Sequence, residues 1–272
     1  MVESFTPATL EEALEIRAAN KVTLYAGGTD VMISSRHDFP FMFIGRLSEL
    51  RRIYEDDEFV HIGPCVTYTE ALASPVTPRL VKNAIAKIAA PAIRNCGTFG
   101  GNLGNGSGKA DSVLADFVLD AQLVIASKDG NRIVPVDKFY WGRKMIDLAD
   151  NEIIVDIMFP KKSIFDNCYF EKISVRGSLA ISNISFAASW STEGDVITGI
   201  ALGIGAAGDT VLRVRGLEEM IVSRTLTDVV GDKEAIVDKY LEKMDFPLDR
   251  TSIEYRKQVC SMLIDFLIDF MD

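Results

Sequence analysis

The sequence is poor in the side chains that usually hold metal ions. Its cysteines are scattered at least 31 residues apart, at Cys65, Cys96, Cys168 and Cys260. Iron–sulfur and zinc sites need clustered thiolates or Cys–His pairs at short spacing. The chain is therefore not expected to carry either kind of metal site itself.

Histidine is scarcer still, with His37 and His61 as the only two in 272 residues. Neither belongs to an HExxH metalloprotease motif or stands near the G-x-S-x-G turn of a serine hydrolase. Hydrolytic machinery is not indicated. Both side chains are expected to be surface residues or hydrogen-bonded parts of the fold.

Long apolar runs and excess positive charge are missing as well. No run approaches the roughly 18 residues of a membrane span, and the N-terminal MVESFTPATLEEALE has acids where a signal peptide has an apolar core. We expect a cytoplasmic protein without a membrane partner. The net charge of −10 gives little support for binding nucleic acid. An anionic ligand would have to be held by local groups.

The pattern of apolar residues predicts an α+β fold, and the composition of 48% hydrophobic and 25% charged residues is that of an ordinary globular protein. Helices are predicted after the capping boxes at Thr9 and Thr67, over 79–89, after Asp111 and over 252–270. Strands are predicted at 21–25, 121–126, 133–136, 153–159, 169–175, 184–190 and 196–203. Because strands and helices do not alternate regularly, antiparallel pairing is favoured over a βαβ repeat.

Glycine is concentrated in Cys96–Asp111, which reads CGTFGGNLGNGSGKAD and has six glycines in the twelve residues 97–108. We interpret the run as bare backbone that forms neither helix nor strand, because glycine is costly in both. Its consecutive N–H groups can form a nest for an anion, with phosphate as the expected guest. Asp111 is expected to N-cap the next helix, whose positive N-terminal end favours the same anion. A mobile interdomain linker is the alternative.

Two common nucleotide-binding motifs are not indicated. A Walker A loop ending at Gly108-Lys109 needs Gly at position 103 and Ser or Thr at 110, where the sequence has Leu103 and Ala110. The segment Gly203–Gly208 matches G-x-G-x-x-G, but no amphipathic helix follows it. We interpret that segment as the end of a buried strand and a turn.

A second glycine turn precedes the glycine-rich run. The strand predicted at 21–25 leads into Ala26-Gly27-Gly28-Thr29-Asp30 and then into the apolar residues VMI, a pattern that predicts strand, turn and short helix. Both stretches offer backbone donors beside a small hydroxyl group. Two such loops could clasp the two phosphates of a dinucleotide.

In this order and separation, the two loops resemble the FAD-binding subunit of the molybdenum hydroxylases, the family of xanthine dehydrogenase and carbon monoxide dehydrogenase. The resemblance rests on LYAGGTDV at 24–31 and on APAIRNCGTFGGNLGN with the Asp111 that follows it. EIIVDIMFP, Tyr169–Lys172 and Ile253–Arg256 support it further. The resemblance extends over essentially the whole chain.

The resemblance implies two domains. An FAD-binding domain of the vanillyl-alcohol oxidase/MurB-like type would occupy residues 1–162, in lobes of about 1–56 and 57–162. A small domain of the CO dehydrogenase flavoprotein type would follow at 163–272, with a three-stranded antiparallel sheet and helices.

The resemblance also implies a site for non-covalent FAD. The first loop would wrap the pyrophosphate, the second would contact the phosphate and ribityl region, and further positions would flank the ring. The corresponding residues are Leu24, Tyr25, Ala26, Gly27, Gly28, Thr29, Asp30, Val31, Ile88, Thr98, Phe99, Gly100, Gly101, Asn102, Asp111, Ile154 and Lys172.

Ile88 and Lys172 are the two positions where the resemblance bears on the properties of the flavin ring. Ile88 stands where animal relatives have an aromatic residue, which implies weaker stacking on the ring and a different flavin potential. Lys172 would lie near the N1–O2 edge of the ring and stabilise negative charge there. The alternative for Lys172 is a lysine merely exposed at a strand edge.

The resemblance implies a subunit that relays electrons through FAD, with the oxidised substrate bound elsewhere. The partners implied are an iron–sulfur subunit with [2Fe-2S] clusters and a molybdopterin subunit, in a heterotrimer that delivers electrons to NAD or another acceptor. No catalytic acid or base is assigned to this chain. The alternatives are a free-standing FAD oxidoreductase of the vanillyl-alcohol oxidase/MurB type and a nucleotide-binding assembly module without redox work.

Overall fold

The structure, a computed structural model, describes residues 4–33, 39–174, 182–244 and 253–271, so that His37 and residues 175–181 lie outside it. The helices are α1 (Leu10–Ala19), α2 (Tyr68–Ala73), α3 (Arg79–Ala86), α4 (Pro91–Arg94), α5 (Phe99–Gly104), α6 (Asp111–Val118), α7 (Val136–Phe139), α8 (Arg215–Ile221), α9 (Leu226–Gly231), α10 (Lys233–Glu242) and α11 (Ile253–Met271). The strands are β1 (Thr23–Tyr25), β2 (Phe41–Phe43), β3 (Ile53–Glu55), β4 (Phe59–Ile62), β5 (Gln122–Ser127), β6 (Gly130–Pro135), β7 (Tyr140–Gly142), β8 (Met145–Ile146), β9 (Ile153–Pro160), β10 (Asn167–Ser174), β11 (Ser182–Glu193), β12 (Val196–Gly205) and β13 (Leu212–Arg213). Turns of 3-10 helix lie at Val31–Ile33, Ser48–Leu50 and Lys161–Ser163.

The predicted helix starts are confirmed at both capping residues. Thr67 and Glu70 form a full capping box at α2, with each side chain bonded to the other residue's backbone. At α1 the Thr9 hydroxyl accepts from the N–H of Glu12 at 3.2 Å. The Glu12 carboxylate reaches past Thr9 to the N–H of Ala8 at 2.6 Å, so the second half of that box differs from the expectation.

The chain divides into two compact units, and the first consists of Met1–Pro78, Ile88–Ser107 and Asp120–Lys161. It contains an antiparallel five-stranded sheet in the order β3-β4-β9-β5-β6, the parallel pair β1-β2 and the hairpin β7-β8. Side chains from α1, β2 and β9 meet in one hydrophobic core, among them Ala13, Met42 and Ile153. The first glycine loop begins where β1 ends, at the edge of this short parallel pair.

The second unit consists of Arg79–Lys87, Gly108–Leu119 and Lys162–Asp272. Its antiparallel sheet has the order β10-β11-β12-β13, so the three predicted strands are present and are joined by the two-residue β13. The β11-β12 hairpin turns at Gly194, which has the positive φ of 60° that such turns favour. The sheet, α8 to α11 and their apolar side chains form the core of this unit.

The G-x-G-x-x-G match is confirmed as a structural feature of β12. A Cβ at Gly203 would lie 2.9 Å from the side chains of Leu114 and Val118, so glycine is needed for α6 to approach this strand. The end of α6 is fixed by Arg213, whose guanidinium donates to the carbonyl of Phe117 at 2.6 Å and pairs with the buried Glu218. This glycine therefore serves packing, not a nucleotide.

The surroundings of His61 agree with the sequence expectation. The His61 ring is buried and hydrogen-bonded, with Nδ1 2.6 Å from Asp156 and Nε2 3.1 Å from Asp56, as expected for a fold residue. Among the helices of the described ranges, none has the length and apolar character that a membrane crossing needs.

We predict that Asp56 makes stability depend on pH in acid. The N–H groups of Phe59 and Glu58 and the His61 ring lower the pKa of Asp56 from 3.8 to about 2. Because the folded-state pKa is depressed, the contribution is complete above about pH 4 and is lost as the pH falls towards 2. Asp56→Asn should therefore unfold in urea with a weaker dependence on pH across this window.

Asp57→Asn is the matched control, since Asp57 lies in the same acidic turn but is not the acceptor of these bonds. It should keep the wild-type pH profile. An Asp56→Asn profile that runs parallel to the wild type between pH 4 and 2 would refute the assignment.

Candidate functional site

The first glycine loop follows β1 in the first unit. Gly28 has a φ of +72°, a conformation that residues with a Cβ rarely adopt, and its carbonyl accepts from Met32 N–H at 3.2 Å. The 3-10 turn that follows has the bond from Ile33 N–H to the Asp30 carbonyl at 3.0 Å. The backbone N–H groups of residues 27–31 meet no acceptor within the described part of the chain. The loop therefore presents a row of unused donors, the arrangement that binds anions elsewhere.

The second glycine run differs from its prediction, because residues 99–104 form the helix α5. Thr98 caps the helix by accepting from Gly101 N–H at 3.2 Å. Phe99 and Leu103, four residues apart, are each 1% exposed and anchor one side of it. These tertiary contacts outweigh the poor helix propensity of glycine.

The N–H groups of α5 are already used inside the protein. Those of Phe99 and Gly100 donate to the carbonyls of Val66 and Pro64 at 3.3 and 2.8 Å, and that of Asn102 donates to the Thr98 carbonyl at 3.0 Å. The anion nest expected in this run is therefore not free here. The unused donors belong to the first loop, and α5 contributes a surface of small residues.

Close packing holds the two glycine segments together. A Cβ at Gly27 would overlap the carbonyl oxygen of Cys96, and a Cβ at Gly100 would lie 2.5 Å from the Cβ of Pro64. The amide of Asn102 donates to the Tyr68 hydroxyl at 2.5 Å. Glycine is therefore required at both contacts. A side chain at position 27 would push the first loop away from Cys96, and one at position 100 would push α5 away from Pro64.

A cavity of about 630 Å³ lies in the first unit beside both segments. Its walls include parts of β1 and the first loop, Ile44 just after β2, α5 and the start of β9. The volume is within the range of typical small-molecule sites, about 300 to 1,000 Å³. The cavity combines backbone donors with an apolar wall that includes Ile153 and Ile154.

The charged side chains among the described lining residues are Arg17, Asp30 and Lys144. The Arg17 guanidinium donates to the carbonyls of Val22 and Glu152 at 2.5 and 3.3 Å, which precede two of the lining strands. Burial lowers the pKa of Arg17, yet an arginine stays charged in proteins. With two cations and one carboxylate, the cavity favours an anionic ligand although the chain is acidic overall.

Asp111 and Lys172, two further predicted site residues, lie in the second unit and pair with each other. Lys172 Nζ is 2.7 Å from Asp111 Oδ2, and the Ser182 hydroxyl donates to Asp111 Oδ1 at 2.7 Å. The expectation that Asp111 caps α6 is wrong, because the capping position is Ala110 and the carboxylate is engaged by these partners. The alternative of an exposed Lys172 is also wrong, because its side chain is only 11% exposed.

The predicted residues fall into three groups. Those that line the cavity are Leu24, Ala26, Asp30, Val31, Gly100, Gly101 and Ile154. Those in the same unit but outside the lining are Tyr25, Gly27, Gly28, Thr29, Ile88, Thr98, Phe99 and Asn102. Asp111 and Lys172 form the third group, in the second unit.

Sequence reasoning did not assign the remaining lining residues. They are Arg17, Val22, Thr23, Ile44, Pro64, Cys65, Gly104, Asn105, Lys144, Ile146, Leu148 and Ile153. Gly104 and Asn105 extend the glycine run and could have been inferred from it. Arg17 and Lys144 carry no local signal, because their position at the cavity depends on tertiary contacts.

Comparison with known proteins identifies the family of the chain. Residues 1–162 match the family described as the FAD binding domain in molybdopterin dehydrogenase, and residues 169–269 match the CO dehydrogenase flavoprotein C-terminal domain. The chain therefore belongs to the FAD-binding, or medium, subunits of the molybdenum hydroxylases, which are components of oxidoreductases.

Individual relatives fall in the same family. The xanthine dehydrogenase FAD-binding subunit of Escherichia coli O157:H7 is 34% identical over 223 residues, which cover 78% of this chain and 76% of the relative. The nicotinate dehydrogenase FAD-subunit of Eubacterium barkeri is 30% identical and covers 99% of this chain and 96% of its own length. In fold, carbon monoxide dehydrogenase from Hydrogenophaga pseudoflava matches with a TM-score of 0.89 at 23% identity, over 97% of this chain and 95% of that one.

FAD, the cofactor of this family, fits the residues present. Its pyrophosphate requires donors that approach closely, and the first loop has five successive N–H groups without a protein acceptor in the described ranges. Its aromatic and ribityl parts need an apolar wall with little side-chain obstruction, and Gly104 faces open space at the cavity.

Gly27→Ala should disrupt this site. Its methyl group would overlap the Cys96 carbonyl, so we expect a loss of about 1 to 3 kcal/mol in unfolding free energy and weakened FAD binding. Denaturant titration and flavin fluorescence measure the two effects. Gly216→Ala is the control, because a Cβ there meets no atom within 4 Å, and it should not destabilise the protein. Equal behaviour of the two variants would contradict the packing argument.

Proposed function

We propose that this chain is an electron relay, which passes electrons from iron–sulfur clusters of a partner subunit through FAD to NAD or another acceptor. The observation that carries the proposal is the row of unused N–H groups at residues 27–31, beside a cavity with a net positive lining. Such a site binds a dinucleotide without offering substrate chemistry. The charged lining residues are tied to backbone atoms or to solvent, not arranged as an acid–base pair.

The cofactor supplies the redox chemistry in this proposal, since bound FAD can accept electrons one at a time and release them as a pair. The chain's own residues bind and orient it. Residues 24–31 and Thr98–Asn102 are proposed to hold the phosphates and the ribityl chain, and Ile88 and Ile154 to flank the ring. Gly104 and its neighbours would leave room for the cofactor along α5.

Lys172 is proposed as the residue that tunes charge at the ring. Its ammonium group is paired with Asp111 and also donates to the Lys87 carbonyl at 3.3 Å. These two contacts fix the position of the Lys172 ammonium group, which supports a role for its donor hydrogens towards an anionic form of the cofactor.

The proposed partners are an iron–sulfur subunit and a molybdopterin subunit. Support comes from the relatives, whose names describe FAD-binding subunits of xanthine and nicotinate dehydrogenases. The described lining residues of the cavity hold no acid–base pair for substrate oxidation, so the proposal assigns that step to a partner subunit. The acceptor is proposed to be NAD because two-electron release matches the pair of electrons that a nicotinamide takes up.

The proposal is tested by the absorption spectrum of the purified protein. We expect flavin bands that pass into the supernatant after acid precipitation and that bleach when NADH is titrated in without oxygen. Bleaching by a one-electron reductant but not by NADH would support the relay with a different acceptor. A protein that takes up no added FAD, or whose flavin responds to neither reductant, would refute the proposal.

Gly104→Leu tests whether FAD occupies the cavity. The new side chain would extend into space where no protein atom lies within 4 Å of the Cβ, so it should fill the cavity without disturbing α5. Leucine is also a better helix former than glycine. We expect a folded protein that lacks the flavin bands, and full flavin loading of this variant would place FAD outside the cavity.

A further inference from the structure

Lys144 is a cavity-lining residue with an unusual backbone. It lies in the two-residue turn between β7 and β8, and its φ is +62°. This left-handed conformation is easy for glycine but costly for a residue with a long side chain. Lysine is held there beside a ligand-sized cavity, and such strain is often kept for a functional reason.

Hydrogen bonds from both the side chain and the backbone hold Lys144 in this conformation. Its Nζ donates to the carbonyl oxygen of Asn105 at 2.6 Å and also to the side-chain oxygen of Asn105. Its backbone N–H donates to the Gly106 carbonyl at 2.8 Å. Asn105 is the C-cap of α5, so the ammonium group sits at the negative end of the glycine helix.

These contacts fix one wall of the cavity. Gly104, Asn105 and Lys144 all line it, and the hairpin reaches α5 through this lysine. Gly106 also has a positive φ, of 63°, and a Cβ there would lie 3.0 Å from Lys144 Cα. The turn and the end of α5 are therefore fitted to each other, with the lysine side chain as the connecting group.

We propose that Lys144 is a positioning residue for the cofactor: it holds the α5 wall and brings a positive charge to the cavity. The proposal rests on the FAD site proposed above. Of the other charged lining residues, Arg17 is bound to two backbone carbonyls and Asp30 is an acid. Lys144, bonded through Asn105 to the C-terminal end of α5, is consequently the cation that stands at the α5 wall of the cavity.

Lys144→Gly separates binding from folding. Glycine adopts the left-handed turn without strain, and this relief offsets the loss of the exposed bonds to Asn105, so the apoprotein should melt close to the wild-type temperature. Loss of the ammonium group should raise the Kd for FAD by about tenfold or more, as expected for a charged hydrogen bond. It should also flatten the dependence of log Kd on log salt, because one charge no longer acts on the anion.

Lys144→Arg and Arg143→Gln are the comparison variants. The first keeps the charge and should keep the salt dependence, with a smaller loss of affinity. The second removes an exposed charge from the same turn, at a residue outside the lining, and should bind FAD like the wild type. Titration of each apoprotein with FAD, followed by flavin fluorescence at several salt concentrations, measures all three.

Two results would overturn the inference. One is a Lys144→Gly protein with wild-type Kd and salt dependence, and the other is an equal loss in Lys144→Gly and Arg143→Gln. A wild-type apoprotein that fails to bind FAD would instead refute the proposed site, and the two failures are thereby distinct.

Discussion

The site depends on the close approach of two backbone segments, at the point where Gly27 meets the Cys96 carbonyl. No side chain fits between them, so the first glycine loop is held against the residues that lead into α5. This contact leaves the N–H groups of 27–31 directed away from protein acceptors in the described chain. The proposed site for an anionic dinucleotide depends on this contact.

The two segments have different tasks, although both are rich in glycine. The first loop offers hydrogen-bond donors, because its amides are unpaired in the described ranges. The helix α5 offers space and rigidity, because Thr98 caps it, Phe99 and Leu103 anchor it and its small residues face the cavity. A flavoprotein subunit of this kind supplies position and charge, and the reactive group comes with the cofactor.

Much of the fold could be predicted from the sequence, since alternating strands, capping residues and glycine turns are local signals. The helix α5 could not, because the cap and buried anchors that overcome glycine's poor propensity are tertiary. The ion pair between Asp111 and Lys172 joins residues that are 61 positions apart, so no local sequence pattern predicts it. The role of Lys144 could not be predicted either, because it depends on the tertiary contact between this turn lysine and Asn105.

The most direct test is hydrogen–deuterium exchange of the apoprotein with and without FAD. The account predicts that the amides of 27–31 exchange rapidly when the cofactor is absent and slow down when it binds. The amides of 99–102, which already have protein acceptors, should be protected in both states. FAD binding that leaves exchange at 27–31 unchanged would contradict the central claim that this loop holds the cofactor.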